Sequence, residues 1–238
     1  VLPQLIDAFR TGGGVPWTAY GDDGREGQAA MNRPQYLALL AEHWLPALPD
    51  VHARLQAKPA RVADLCCGEG WSSIALPLGY PQVTVDGFDV DEASIEAARR
   101  HAEGAGVGDR VDFAVRDAAE LEGTYDLVTI FEAVHDVARP VELLESARRL
   151  VGSEGTVLVM DERVGESFTA PANPIEQFMY GASVLMCLPT GMAEQPSAAT
   201  GTAMRPGTLE DYARRAGYAA VDVLGIEHDF WRFYRLTA

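Results

Sequence analysis

Hydrophobic positions along the chain fall into two alternating patterns. From Arg61 onward, short runs rich in Val, Leu and Phe alternate with stretches whose apolar residues recur at three and four positions. The first pattern is that of buried strands and the second that of amphipathic helices. The expected strands are RVADLC at 61–66, VTVDGFD at 83–89, RVDFAV at 110–115, YDLVTIF at 125–131 and GTVLVMD at 155–161. Helices are expected at 71–79, 91–104 and 139–151, where Ala, Glu and Arg fill the positions between the apolar ones. Strand and helix in regular alternation predict a doubly wound α/β fold, a mostly parallel sheet with helices on both faces.

The rhythm breaks after Asp161. Residues 164–206 read as a Pro- and Gly-punctuated insertion holding one apolar helix, PIEQFMYGASVLMCL at 174–188. An insertion of that length in a compact domain points to a lid. TLEDYARRAGY at 208–218 predicts a helix with Thr208 as N-cap and Gly217 near its end. VDVLGIEHDFWRFYRL then predicts a closing hairpin. Before the first strand, residues 32–56 read as helical and TGGGVPWTAYGDDG at 11–24 as a mobile loop. The division expected is an N-terminal helical or lid segment at 1–57 and a main domain at 58–238.

Length and charge narrow the class. A chain of 238 residues with 47% apolar content supports one substantial core. With 35 acidic against 19 basic side chains, a net charge of -16 repels phosphate backbones and anionic bilayers. No stretch has the length or hydropathy of a membrane span. Cys66, Cys67 and Cys187 offer no disulfide framework, the adjacent pair being strained as a bridge. A reducing cytoplasm is the expected compartment, and a small molecule, not nucleic acid or membrane, the expected partner. A chain opening on Val1 is read as a piece of a longer protein.

Candidate chemistry clusters after the first three strands. Gly68 and Gly70 lie where a strand end turns into a helix, and a backbone without Cβ atoms there can approach a ligand closely. Asp89 ends the second strand, placed to grip both hydroxyls of a ribose, and Asp117 follows the third, able to accept from an adenine amino group beside the Ala118 amide. Taken alone, Asp117 suits a helix N-cap equally well. A nicotinamide-dependent oxidoreductase also carries a glycine-rich turn and a following acid, but Ser73 stands where its fingerprint needs Gly or Ala.

VADLCCGEGW, GFDVD and RDAAEL resemble the first motif, the acidic second strand and the adenine-binding turn of class I S-adenosylmethionine-dependent methyltransferases. The segment 125–162 is similar to their fourth strand, following helix and fifth strand. The resemblance covers about Arg61 to Asp161. It implies a Rossmann-like seven-stranded sheet with an antiparallel C-terminal strand, S-adenosylmethionine as cofactor and methyl transfer as activity. It assigns cofactor contacts to Asp64, Leu65, Cys66, Gly68, Gly70, Asp89, Val90, Asp117, Ala118 and the backbone around Phe131 and Glu132. Cys66 occupies a position where those enzymes carry glycine.

No metal is expected. Methyl transfer from a sulfonium needs the nucleophile held in line with water excluded, so the site can work without a catalytic acid or base. Where the acceptor is a hydroxyl, His135 is the candidate base by position, with Asp136 as partner and Glu132 as a weaker alternative; orienting the loop is its equally weighted alternative role. Trp17, Tyr20, Phe178, Met179, Tyr180, Met186 and Met204 are expected around an apolar acceptor site, and Arg205 beside an acidic substrate group or on the surface. GGGVPWTAYG and the run from Tyr180 to Tyr218 are similar to a bacterial subgroup whose relatives carry a winged-helix-like N-terminal domain. That similarity implies a homodimer, and raises a cofactor-sensing regulator as a further reading.

Overall fold

The computed structural model describes residues 1–237. Its elements run α1 (Leu2–Thr11), a 3-10 turn (Trp17–Tyr20), α2 (Gly21–Gln35), a π-helical stretch (Tyr36–Trp44), a 3-10 turn (Leu45–Ala47), α3 (Pro49–Ala57), β1 (Ala60–Leu65), α4 (Trp71–Gly79), β2 (Val83–Asp89), α5 (Glu92–Gly104) and β3 (Val111–Val115). They continue through a 3-10 turn (Ala118–Glu120), β4 (Tyr125–Phe131), α6 (Pro140–Leu150), β5 (Val151–Glu162), α7 (Pro174–Ala182), a π turn (Ser183–Cys187), α8 (Leu188–Gly191), α9 (Pro206–Arg215), β6 (Ala220–Val223) and β7 (Trp231–Thr237).

One seven-stranded sheet has the order β3-β2-β1-β4-β5-β7-β6. The first five strands pair in parallel, and β7 inserts antiparallel between β5 and β6. This is the doubly wound sheet expected, with its closing hairpin. The chain reverses its direction of winding between β1 and β4, and ligands of such sheets bind outside the carboxyl ends of the strands at that point.

Strand periodicity sorts the core onto the two faces. Leu127, Leu158, Met160 and Phe233 pack with Leu40, Trp44, Ile74 and Ile95 on one side. Val128, Ile130, Val157, Val159 and Leu236 pack with Leu144, Leu209 and Tyr212 on the other. The N-terminal helices therefore contribute to the main core: Leu40, Leu45 and Leu55 are wholly buried.

Local expectations fail where packing overrides them. Only residues 12–16 of the segment 11–24 are irregular: Thr11 ends α1, Trp17–Tyr20 form a 3-10 turn and Gly21 starts α2. Asp22 and Asp23 sit in the first turn of α2, where carboxylates favour the positive end of the helix dipole. The stretch 32–56 is helical as expected but divided, because Pro49 starts a new helix and Leu48 before it is held out of the α region. Thr208 is not an N-cap. Pro206 occupies N1 of α9, which suits a residue with no N–H to satisfy, and the cap moves back to Arg205.

Gly79 closes α4 against the π-helical stretch, where an added Cβ would lie 2.1 Å from Ala41 Cβ. Gly79→Ala is expected to lower unfolding free energy by about 1–3 kcal/mol, since the two backbones must separate. Urea denaturation measures this directly.

Candidate active site

The turn from β1 into α4 is built around Asp64. Its carboxylate is 1% exposed and accepts from Ser72 Oγ and Ser73 Oγ at 2.6 Å and Thr129 Oγ1 at 2.7 Å. Burial pushes its pKa up, and these hydroxyls pull it back. Both oxygens are thus engaged in joining β1 to α4 and β4, so Asp64 shapes the loop from behind.

The loop itself takes left-handed backbone at Cys66 (φ 58°), Gly68 (φ 53°) and Gly70 (φ 79°). A Cβ on Gly70 would meet Phe113 Cζ at 2.5 Å, whereas one on Gly68 would meet nothing within 4 Å. Gly70 is required by packing and Gly68 leaves an opening. Cys66 holds a left-handed conformation that favours glycine, at a strain of about 1–2 kcal/mol. Its thiol is pushed well up by burial and by Asp89 and Asp64, so it stays protonated.

Asp89 faces this loop. Its Oδ2 accepts from Gly68 N at 2.8 Å and its Oδ1 from Asp91 N at 2.9 Å. An ionised carboxylate accepts at about four lone-pair positions, so each oxygen keeps capacity for a ligand hydroxyl. Asp117 Oδ1 accepts from Ala119 N at 2.9 Å, so the capping role is realised, and Asp117 and Ala118 still line the same cavity.

That cavity, of about 1130 Å³, runs from Val90 and Asp117 across the loop to Glu132 and His135. Asp64, Cys66, Gly68, Gly70, Asp89 and Phe131 line it as well; Leu65 does not, being fully buried in the sheet core. Trp17, Phe178, Met179 and Met186 also line this cavity. Three other expected wall residues lie elsewhere for identifiable reasons. Tyr20 braces the roof, its hydroxyl donating to Leu185 O at 2.9 Å. Tyr180 donates to Glu176 Oε1 at 2.7 Å and accepts from Arg205 Nη2 at 3.0 Å. Met204 is 2% exposed in the core around α6 and α9. Arg205 is neither a free surface cation nor a substrate contact: it pairs with Glu176 at 3.2 Å, and only a fifth of its side chain is exposed.

The roof is one assembly. Val15 N donates to Pro189 O at 2.9 Å, so the N-terminal segment and the insertion meet, and Gly14 permits this because a Cβ would lie 2.2 Å from Ala193 N. Gly201 N donates to His135 O at 3.0 Å, tying the insertion to the loop after β4.

Sequence reasoning missed the grip on Glu132. Its carboxylate, at a left-handed residue (φ 55°), accepts from Gln28 Nε2 at 3.0 Å and Tyr36 Oη at 3.2 Å. Burial raises its pKa to about 7. The signal available was the polar side of α2, which carries Gln28 and Asn32, but nothing in the spacing named a partner 104 residues away.

His135 is 2% exposed, with Nδ1 2.7 Å from Asp161 Oδ1 and 2.9 Å from Glu162 Oε2. Burial alone would lower the imidazole pKa; Asp161, Glu162, Asp136 and the nearby Cys187 outweigh it and hold it well above the usual value. Nε2 has no partner among the described residues. Asp161 and Glu162 were not singled out because they end a strand like any other.

A Rossmann-like sheet with a glycine turn and acidic residues at successive strand ends defines the class I methyltransferase arrangement. Residues 57–202 match the family model described as a methyltransferase domain, and the chain belongs to that family. It is 30% identical over 197 residues to the ubiquinone biosynthesis O-methyltransferase of Pseudomonas aeruginosa, covering 79% of this chain and 76% of that one. The Bordetella pertussis protein of the same name is 31% identical over 187 residues, covering 75% and 70%. Among solved structures, an O-methyltransferase family protein from Burkholderia thailandensis superposes with TM-score 0.67 at 19% identity, covering 99% of this chain and 67% of that one. The O-methyltransferase of neocarzinostatin biosynthesis, in complex with S-adenosyl-L-homocysteine and 1,4-dihydroxy-2-naphthoic acid, superposes with TM-score 0.62 at 20% identity, covering 99% and 67%. The protein is an S-adenosylmethionine-dependent methyltransferase, and the oxidoreductase and regulator readings find no support. No described helix is long and apolar enough to cross a membrane.

Strain at Cys66 is open to measurement. Cys66→Val is expected to unfold about 1–3 kcal/mol more easily than Cys66→Gly, because a β-branched residue tolerates positive φ worst. Paired denaturation curves decide it; equal stabilities would mean that the left-handed turn is not retained.

Proposed function

We propose that the protein transfers a methyl group from S-adenosylmethionine to the hydroxyl of a small, mainly apolar acceptor, with His135 as the base. The observation that carries this is the unpartnered Nε2 of a buried imidazole, lining the cavity at the end opposite Asp89 and Asp117. The relatives' O-methyltransferase names support oxygen as the methylated atom. A cytoplasmic bacterial enzyme acting as a homodimer is the setting we propose, with residues 1–57 as roof-bearing segment and 58–238 as catalytic domain.

The cavity fits the cofactor on its own features. Open space above Gly68 admits a ligand against the backbone, and Asp89 retains free lone pairs. The carboxylates of Asp64, Asp89 and Glu132 suit a cationic group. When bound, S-adenosylmethionine supplies a methyl carbon whose bond to sulfur breaks, the electron pair staying on sulfur, as the acceptor oxygen forms its own bond to that carbon. In our reading Asp89 holds the ribose, Val90 and Asp117 flank the adenine, and the backbone at Phe131 and Glu132 faces the amino end. His135 Nε2 takes the hydroxyl proton. Asp161, accepting from Nδ1, fixes the ring, and with Glu162 it stabilises the imidazolium that results. The roof excludes water from the transfer.

Titration calorimetry tests the cofactor assignment. Asp89→Ala is expected to weaken S-adenosylmethionine about 100-fold, as loss of two hydrogen bonds to a charged group implies. Unchanged affinity would remove the ribose role.

The base role has a pH signature. The active form is neutral imidazole, and the surrounding carboxylates favour the protonated form, so the rate should rise with pH through a midpoint above 6.5. Asp161→Asn removes one of those charges and should move the midpoint down. A profile flat across this range, or a midpoint indifferent to the substitution, would exclude His135 as base.

A further inference from the structure

His135 and Asp136 lie in the turn after β4, and Cys187 ends the π turn of the insertion. Each offers one metal-ligating atom, and the three atoms lie within 4.8 Å of one another. On the imidazole that atom is Nε2, 3.8 Å from Asp136 Oδ1. The Cys187 sulfur stands at hydrogen-bonding distance of both side chains, yet Nε2 and Oδ1 gain no bond of proper geometry from it. His135 is 2% and Cys187 9% exposed, and all three side chains line the cavity, so the group is shielded but reachable.

The donor set is that of a zinc site. Nitrogen, oxygen and sulfur together select a borderline-soft divalent ion over magnesium or calcium, and three protein ligands leave the fourth position open toward the cavity. Ligand atoms of a tetrahedral zinc stand about 3.3–3.7 Å apart. The separation of Nε2 from Oδ1 is already close to that. Glu162, Thr202 and Asn32 also present unpartnered atoms to the cavity, but none brings a sulfur.

The ring is prepared for the role. A metal-bound imidazole commonly gives its other N–H to a carboxylate, and His135 Nδ1 gives its proton to Asp161 Oδ1 at 2.7 Å, which leaves the Nε2 lone pair facing Asp136. His135, Asp161 and Glu162 form a second group of ligand type. Asp161, 1% exposed, does not line the cavity, so that side has no open position for an arriving ion and acts as support. Three carboxyl groups surround the one imidazole, and none pairs with Lys or Arg among the described residues, so a further positive charge is favoured there.

We infer that His135 Nε2, Asp136 Oδ1 and Cys187 Sγ form a binding site for a zinc-type divalent cation, and that the bound ion arrests methyl transfer by taking the lone pair through which His135 acts as base. On binding, Nε2 and Oδ1 each supply a lone pair, and the Cys187 thiol passes its proton to solvent as the thiolate coordinates. The arrest rests on the reading of His135 as base; the site itself does not. Transfer calls for no metal, and this ion opposes it.

Cobalt(II) titration of the protein tests the site, because a thiolate ligand gives cobalt a near-ultraviolet charge-transfer band. One cobalt per chain is expected, displaced by one equivalent of zinc, and zinc should shift the nitrogen-15 resonance of His135 Nε2. Cys187→Ala should remove the band and weaken zinc about a hundredfold or more, with circular dichroism as the check on folding. Cys66 and Cys67 line the cavity but belong to neither group, so Cys66→Gly and Cys67→Ala should keep the band. A cobalt spectrum without the band in the unaltered protein, an Nε2 resonance indifferent to zinc, zinc affinity unchanged in Cys187→Ala, or a band lost in a folded Cys66→Gly or Cys67→Ala protein overturns the inference. The first two measurements stand whether or not any variant folds. Site and base are tested apart: a flat pH profile would leave the cobalt band standing, and a missing band would leave the pH profile standing.

Discussion

The buried carboxylate of Asp64 is the constraint on which the rest of the site depends. An acid taken out of water at the end of a central strand is tolerated only where hydrogen bonds replace its hydration. Ser72, Ser73 and Thr129 provide them, and in doing so they bring the first turn of α4 and the strand β4 to fixed positions around β1. The cofactor loop has no choice of path between those anchors. It must reverse within residues 66–70, which requires left-handed backbone, and the Gly68 amide then donates to Asp89 across the gap.

The same logic recurs at the other end of the cavity with a different balance. Around His135 three carboxylates share one imidazole, so the cluster holds its proton strongly and orients the ring through Nδ1. Strong orientation and a strongly held proton are two effects of one arrangement: the carboxylates that fix the ring also oppose its being free at low pH. Glu132, between the two ends, has the opposite problem. Burial outweighs its hydrogen bonds and the nearby His135 and brings its pKa to about 7, and Gln28 and Tyr36 of the N-terminal segment donate to it. The roof is thereby attached to the sheet at the cofactor's position, not merely laid over it.

How much of this was legible in the sequence follows from where the interactions lie along the chain. The sheet, its helices and the line of Asp64, Gly68, Gly70, Asp89 and Asp117 depend on periodicity and on spacing within single strand-turn-helix units, which one sequence carries. The Cys66 departure was legible as an oddity, but only the backbone angle explains it as a retained left-handed turn. Tyr20, Tyr180 and Met204 were misplaced because residue type speaks for an apolar wall without saying which side of a helix faces it. The roof was misread more deeply. Residues 11–24 look mobile because glycines dominate them, yet contacts with an insertion more than 170 residues later order them.

Acceptor choice belongs to that long-range part of the structure. The cofactor half of the cavity is assembled from strand ends in one parallel sheet, and its polar atoms are largely satisfied within the protein. The acceptor half is assembled from the loop after β4, the end of β5 and the insertion, three segments with no local reason to be complementary. His135 Nε2, Asp136 Oδ1, Glu162 Oε2, Thr190 Oγ1 and Thr202 Oγ1 line that half of the cavity without a hydrogen-bond partner among the described residues. Binding energy available from such atoms goes only to a ligand that reproduces their spacing and polarity, so discrimination arises where the fold stops supplying partners. The apolar walls around Trp17 and Met179 suit rings in general, and polar atoms of fixed position are what can distinguish one ring from another.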